Sequence, residues 1–347
     1  MRIVYCTDTI CYPGGIQIIT ITKANALAKI DGNEVWIVVT DNKKNVITTV
    51  SDNVHVIDLD INYYEDDWKG LFYQIRGLLI KGRLHKKRIQ SFLNSIAPDI
   101  VISTGTSEKY FLPSLRVCSS PKYIREIHFE KYYRRRAATS KFSKIYAQIS
   151  EWYDYCWKIK KYDKIVVLTH EDQETNWNGW EKVVVIPNPI TTQHNYQSTT
   201  ENKIAISAGR LVPQKNFSSL IRIWSLVAEK YPDWTLQIWG SGWQEAMLKK
   251  KIVSLNLQER IKIMGYTNEL QKEMQQASLF IMTSKYEGFP LVMIEAMSVG
   301  LPLISYAFPT GPKDLITDGE DGFLIPVGNE DLFAEKICTL IGNFKNR

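Results

Sequence analysis

Ala277-Ser-Leu-Phe-Ile-Met-Thr-Ser-Lys-Tyr-Glu-Gly-Phe-Pro-Leu-Val-Met-Ile-Glu295 holds an apolar run, a turn and the start of a helix in immediate succession. The run Ala277–Ser284 is short and continuously apolar, as a strand covered on both faces of a parallel sheet must be. Pro290 suits the first helical position, where its missing N–H would have had no partner, and Gly300 and Pro302 supply a cap and a stop. The spacing therefore predicts a helix from about Pro290 to Val299. Open α/β sheets bind ligands at such strand–loop–helix junctions. The turn of Gly288, Phe289, Pro290, Leu291 and Val292 offers free backbone N–H groups and the positive end of a helix dipole to a phosphate. Glu287 and Glu295 flank it, and carboxylates accept the paired hydroxyl protons that a ribose or hexose presents. Two glutamates taken alone are an ordinary loop charge and a solvated helix residue; their surroundings change that reading.

A second constellation lies upstream at Ser207-Ala-Gly-Arg-Leu-Val-Pro-Gln-Lys-Asn216, directly after the apolar run from Lys203 to Ser207. Arg210 offers a planar fork for phosphate oxygens and Lys215 a movable point charge. Both precede a helical pattern through Phe217, Leu220, Ile221, Trp224 and Val227. Two cations beside a helix start suit a diphosphate leaving group, whose charge grows as a glycosidic bond breaks.

Gly14-Gly15, Gly209-Arg210 with Lys215, and Glu287 with Glu295 together resemble a retaining glycosyltransferase of family 4, of the bacterial surface-polysaccharide type. The likeness runs over most of the chain and is strongest from Ile186 to Val327. It includes Pro187-Asn-Pro189, Ile238-Trp-Gly-Ser-Gly242, Met264-Gly-Tyr266, Pro309-Thr-Gly-Pro312 and Gly319-Glu-Asp-Gly-Phe323. The resemblance implies an α/β GT-B fold of two facing Rossmann-like, doubly wound domains with parallel sheets. Residues 1–188 would bind the acceptor and 189–347 the sugar nucleotide. Glu287 would contact sugar hydroxyls and Glu295 the nucleotide ribose, while Arg210 and Lys215 neutralise the diphosphate. Gly209 and Gly240 would line the nucleotide, and Tyr266 would lie near the base. Gly14 and Gly15 would let backbone approach the phosphates or the acceptor, and His128, in Tyr123-Ile-Arg-Glu-Ile-His-Phe-Glu130, would sit beside the transferred sugar. The implied donor is a nucleotide-diphosphate hexose or N-acetylhexosamine, with UDP favoured over GDP by the Pro-Thr-Gly-Pro variant. The implied acceptor is a saccharide or a lipid-linked one, in lipopolysaccharide, capsule or glycolipid synthesis. No cofactor or metal is expected, and transfer would retain anomeric configuration by front-face substitution. Relatives usually continue past the position of Arg347 through a helix that crosses back to the first domain.

The five histidines, at 55, 85, 128, 170 and 194, show no metal-ligand spacing. His170 lies in Thr169-His-Glu-Asp172, a helix cap with Asp172 in place of the usual glutamate. The five cysteines lack C-x-x-C spacing, which argues against a disulfide framework or a zinc site. Met1-Arg-Ile-Val-Tyr-Cys6 runs straight into a strand and no apolar run approaches a membrane span, so a cytoplasmic location is expected. At 347 residues, 44% hydrophobic and 23% charged, the chain has room for two globular domains.

Strands are expected near 2–6, 35–39, 54–57, 100–102, 122–127, 164–168 and 183–186 in the first sheet. The second sheet takes those near 204–208, 235–239, 261–263, 279–283, 303–305 and 323–325. Gly14-Gly15 opens an amphipathic helix with Ile16, Ile19, Ala26, Leu27 and Ile30 on its apolar face, and the polar run Thr191–Asn202 marks the domain boundary. The net charge of +6 is unevenly placed: Lys69–Gln90 and Lys122–Lys164 each carry +7, leaving −8 elsewhere. Both basic stretches are interleaved with aromatic and aliphatic residues, Tyr132, Tyr133, Phe142, Trp152 and Trp157 among them. That mixture suits peripheral contact with the anionic inner face of the cell membrane. Asp58-Leu-Asp60, the one D-x-D triplet, reads as a strand end rather than a metal site. Two other classes are a sugar-nucleotide epimerase of the same fold and a basic nucleic-acid-binding protein suggested by Arg134-Arg-Arg136. The latter leaves the two glutamates unexplained, since acidic groups repel a phosphate backbone, and no nucleic-acid partner is expected.

Overall fold

A computed structural model describes residues 1–11, 14–41, 49–65, 71–190 and 196–345; at residues 71–76, 78, 344 and 345 it describes the backbone. Parts of the first basic stretch and of the polar run, with His194, lie outside these residues. The chain forms two compact units, Met1–Leu168 with Asn176–Pro189, and Thr169–Thr175 with Ile190–Arg347. Thr169–Thr175, which falls in the first domain by sequence, groups with the second unit because its backbone is held there. The Asp314 carboxylate accepts the N–H groups of His170 (2.6 Å) and Glu171 (3.2 Å). In return Glu171 accepts the Thr310 N–H (2.9 Å) and pairs with Lys313 (2.7 Å). The Thr169 hydroxyl caps this short helix by accepting the Asp172 N–H.

The first unit runs β1 (Arg2–Thr7), α1 (Gly15–Ala28), β2 (Glu34–Val39), β3 (Val54–Asp58), α2 (Leu71–Ile96), β4 (Ile100–Ser103), β5 (Lys122–Glu126), α3 (Tyr133–Ala137), α4 (Lys141–Tyr153) and β6 (Lys164–Val167). After α5 (His170–Asn176) it closes with β7 (Val183–Val185). The sheet order is β3-β2-β1-β4-β5-β6-β7, all parallel. Alternation along β1 sends Ile3 and Tyr5 to one face, where Ile21 and Ala24 of α1 cover them, and Val4 and Cys6 to the other, against Ile89 and Leu93 of α2. That two-faced cover is what winds the sheet both ways. The buried side of α1 is Ile19, Thr20, Ile21 and Ala24. Contrary to the expected apolar stripe, Ala26 is exposed because it lies on the side of α1 away from these residues, and Ile30 is exposed because α1 ends at Ala28.

The second unit runs β8 (Ile204–Ala208), α6 (Phe217–Lys230), β9 (Thr235–Trp239), α7 (Glu245–Ser254), β10 (Ile261–Gly265), α8 (Leu270–Gln275), β11 (Leu279–Met282), α9 (Leu291–Ser298), β12 (Leu303–Tyr306), α10 (Pro312–Leu315), β13 (Gly322–Ile325) and α11 (Glu330–Lys345). Its parallel order is β10-β9-β8-β11-β12-β13. One continuous core joins Trp224 of α6, Phe280 of β11, Tyr306 of β12 and Phe333 of α11. The helix α9 starts one residue later than the sequence predicts. Pro290 is its cap, with ψ of 88° outside the helical range. At the other end Gly300, at φ +79°, donates to Met297 O while Leu301 N–H reaches Ala296 O, a Schellman closure that needs a left-handed residue. Among the described residues no helix is long and apolar enough to cross a membrane.

Candidate active site

In each sheet the winding direction reverses between two central strands, β1 and β4 in the first unit and β8 and β11 in the second. The loops leaving such strands diverge, and the crevice between them is the ligand position of open α/β sheets. In the second unit those loops are the two stretches from which the sequence reading started, Gly209–Asn216 and Thr283–Pro290.

They are clasped together. Lys285 N–H donates to Gln214 O and the Gln214 side-chain amide to Tyr286 O, each at 2.9 Å. The Thr283 hydroxyl donates to the carbonyls of Lys215 and Asn216. The loop after β9 joins them: Gly209 N–H donates to Trp239 O (2.9 Å), Leu211 N–H to Ser241 O (2.8 Å) and Gly240 N–H to Gly265 O (2.7 Å). Gly240 adopts φ +133°, and a Cβ there would stand 2.0 Å from Gly209 O, so only glycine fits this crossing. Gly209 likewise leaves room for the Lys215 side chain, whose Cε would lie 2.9 Å from an added Cβ.

Lys215 Nζ lies 2.7 Å from Glu287 Oε1, both side chains being mostly buried at 15% and 12% exposure. The cation expected to face a diphosphate and the carboxylate expected to face a sugar thus meet at one point. Arg210 is exposed on the same loop. Tyr286, which the sequence reading passed over, feels both charges: burial and Glu287 raise its phenol pKa while Arg210 lowers it. Thr310, also missed, holds the Glu287 carbonyl through its hydroxyl at 2.9 Å. Glu295 lies in the second turn of α9. Burial pushes its pKa up, and among the described residues its carboxylate has no hydrogen-bonding or charged partner. Gly288, Phe289 and Pro290 are buried, whereas Leu291 and Val292 open the helix with first-turn N–H groups that have no intrahelical acceptor. Tyr266, one residue past β10, is 61% exposed.

In the first unit Gly14 caps α1 and Gly15 begins it. His128 follows β5 by two residues, with its side chain 4% exposed and Nε2 3.3 Å from Glu126 Oε2, which also accepts from Lys23 Nζ at 3.0 Å. Burial lowers the His128 pKa, the Glu126 carboxylate only partly opposing it, and despite the 3.3 Å approach the buried Nε2 makes no hydrogen bond. A cluster that no sequence motif signalled occupies the reversal point between β1 and β4. The Asp8 carboxylate accepts the Thr106 N–H and hydroxyl, and Glu108 Oε1 accepts from Ser103 at 2.8 Å with Arg125 3.7 Å away. Glu108 Oε2 is buried without a hydrogen-bond partner, and burial together with Asp8 pushes this carboxyl up to about 7. Its residues lie far apart in sequence, so only the closed sheet assembles them. Among the described residues no three metal-ligating side chains gather.

Residues 191–347 match the family of glycosyl transferases group 1. The matched residues run from before β8 to α11. Within the chain, 185 residues are 36% identical to an uncharacterized glycosyltransferase of Haemophilus influenzae, covering 52% of each. A further match is the amylovoran biosynthesis glycosyltransferase AmsD of Erwinia amylovora, 32% identical over 192 residues, 52% of this chain and 53% of AmsD. The chain thus spans about half the length of these relatives. Among solved structures, S. aureus TarM in complex with fondaparinux, alpha-GlcNAc-glycerol and UDP superposes with a TM-score of 0.75 at 18% identity, over 99% of this chain and 93% of TarM. That likeness is one of fold, and the fold class is GT-B. The matched residues 191–347 contain both loops that line the crevice between β8 and β11.

Proposed function

We propose that the chain is a retaining glycosyltransferase that moves a hexose or N-acetylhexosamine from a UDP-sugar to a saccharide or lipid-linked acceptor in surface-polysaccharide or glycolipid synthesis. The observation that supports the reading is the Lys215–Glu287 ion pair between the two loops at the reversal point of the second sheet, with Arg210 exposed on one of those loops and the Glu295 carboxylate, without a protein partner among the described residues, on the helix that follows the other. A ribose diol would supply two donors to a half-buried carboxylate that no described protein group meets. The α9 N-terminus, Arg210 and Lys215 supply positive charge where a diphosphate departs. Glu287 takes sugar hydroxyls as Lys215 turns from it to phosphate. The bond from the anomeric carbon to the diphosphate breaks as the acceptor oxygen bonds on the same face, and the acceptor proton passes to a departing phosphate oxygen. The α-linked sugar bound with UDP in TarM supports retention, since UDP-hexoses are themselves α-linked. No metal is needed for this charge balance, and the enzyme works in the cytoplasm.

The test is product formation from UDP-sugars and candidate acceptors in the presence of chelator, with the anomeric configuration read by NMR. Arg210→Ala is expected to lower turnover by about a hundredfold, as for loss of one preorganised donor to a developing charge. UDP is expected to raise the melting midpoint more than GDP. An unchanged rate in Arg210→Ala, or release of an epimerised donor without acceptor, would sink the proposal.

A further inference from the structure

We propose that α4 is a membrane-docking ridge that inserts its apolar face into an anionic lipid surface. The surface does not depend on the transfer reaction. Phe142, Ile145, Tyr146, Ile149, Trp152 and Tyr153 recur at helical spacing along one side of α4, and all point to solvent, with exposures from 44% for Tyr153 to 87% for Phe142. The opposite side, Ala147 and Glu151, is buried. This inverts the normal arrangement of a surface helix, whose apolar side faces the core. The π-helical turn Asp154–Lys158 that follows extends the ridge. Bonding five residues apart brings Trp157, 61% exposed, onto the side of Trp152, and their rings meet at 6.5 Å.

The charges around the ridge are sorted by sign. Each acidic group from Glu130 to Asp154 is turned inward and paired: Glu130 with Arg136, Glu151 with Arg135, and Asp154 with both Lys109 and Arg134. Lys141, Lys144, Lys160 and Lys161 are exposed at or near the ridge. Apolar side chains flanked by lysines, with two tryptophans among them, match the boundary between acyl chains and anionic headgroups. A water-soluble acidic protein would be met by the lysines but leaves the ridge unexplained, and a second copy of this chain would bring lysines against lysines.

The experiment is co-sedimentation of the full chain with vesicles of phosphatidylcholine, with and without phosphatidylglycerol, and quenching of tryptophan fluorescence by brominated lipid. Binding only to the anionic vesicles, with quenching, is expected. Lys141→Glu with Lys144→Glu should weaken that partition about thirtyfold or more, from the per-lysine contribution at an anionic surface. Phe142→Asp with Ile149→Asp should abolish quenching while leaving the melting midpoint unchanged, because both side chains are exposed. Absence of anionic-vesicle binding by the parent chain overturns the proposal. So does quenching that survives the aspartates, or a concentration-dependent dimer that those aspartates dissociate.

Discussion

Lys215 and Glu287 form an ion pair between two strand-end loops of the second unit, and their pairing has a stability consequence. Both are mostly buried, so a lone partner would face desolvation without compensation. Lys215→Met is expected to lower unfolding stability by about 2 kcal/mol in urea titration, and adding Glu287→Gln should restore most of it. Glu108 is a residue-scale case in the first unit. Its folded pKa of about 7 lies above that of an unfolded glutamate, so the folded state binds the extra proton between about pH 4.5 and 7. Stability from this group is complete below that window and lost as pH rises through it. Glu108→Gln should therefore raise the melting midpoint at pH 8 and change it little at pH 4. Equal effects at both values would rule out a protonated Glu108.

At the scale of elements, three strand-end loops, after β8, β9 and β10, are stacked by main-chain hydrogen bonds that continue past the strands. The contact of Gly240 with Gly209 O is the tightest point of that stack. Gly240→Ala combines a steric overlap with an unfavourable positive φ and is expected to cost about 3 kcal/mol. Thermal unfolding should register the loss, and UDP binding should fall with it because Lys215 is displaced along with Gly209. The same scale explains the inversion of Arg134-Arg-Arg136. The run resembles a nucleic-acid contact in sequence, yet each guanidinium pairs with an inward carboxylate: Arg135 with Glu151 of α4, Arg134 with Asp154 just after it, and Arg136 with Glu130 just before α3. Its charge is absorbed in fixing α4, whose apolar side is left facing outward.

At the scale of the whole molecule the two units have separate cores. Calorimetry is expected to resolve two unfolding components, and UDP at about a hundred times its Kd should stabilise one of them by about 2.7 kcal/mol, leaving the other in place. A single transition, or an equal shift of both components, would contradict this. The order of strands was legible from the chain because β-rich apolar runs bounded by turn residues are local signals, and all thirteen expected strands are present within a residue or two of their anticipated ends. Glu287, Glu295, Arg210 and Lys215 could be singled out as candidates, since each sits at a fixed offset from a strand end or helix start. Tyr286, Thr310 and the Asp8–Glu108 cluster were not, because their neighbours come from other strands or loops. The membership of Thr169–Thr175 in the second unit was hidden for the same reason: it is set by Asp314 and Thr310, which lie more than a hundred residues away. The mixture of basic and aromatic residues from Lys122 to Lys164 likewise stood out in the chain without saying which of them would be buried. That choice fell to the tertiary structure, where arginine–carboxylate pairs anchor the polar side and leave the aromatic one in solvent. The sequence by itself determined the strands, the helices and the loops at the strand ends, through short-range stereochemistry and hydrophobic period. Tertiary structure alone decided which charges cancel and which surfaces stay open, because those depend on groups brought together by the sheets.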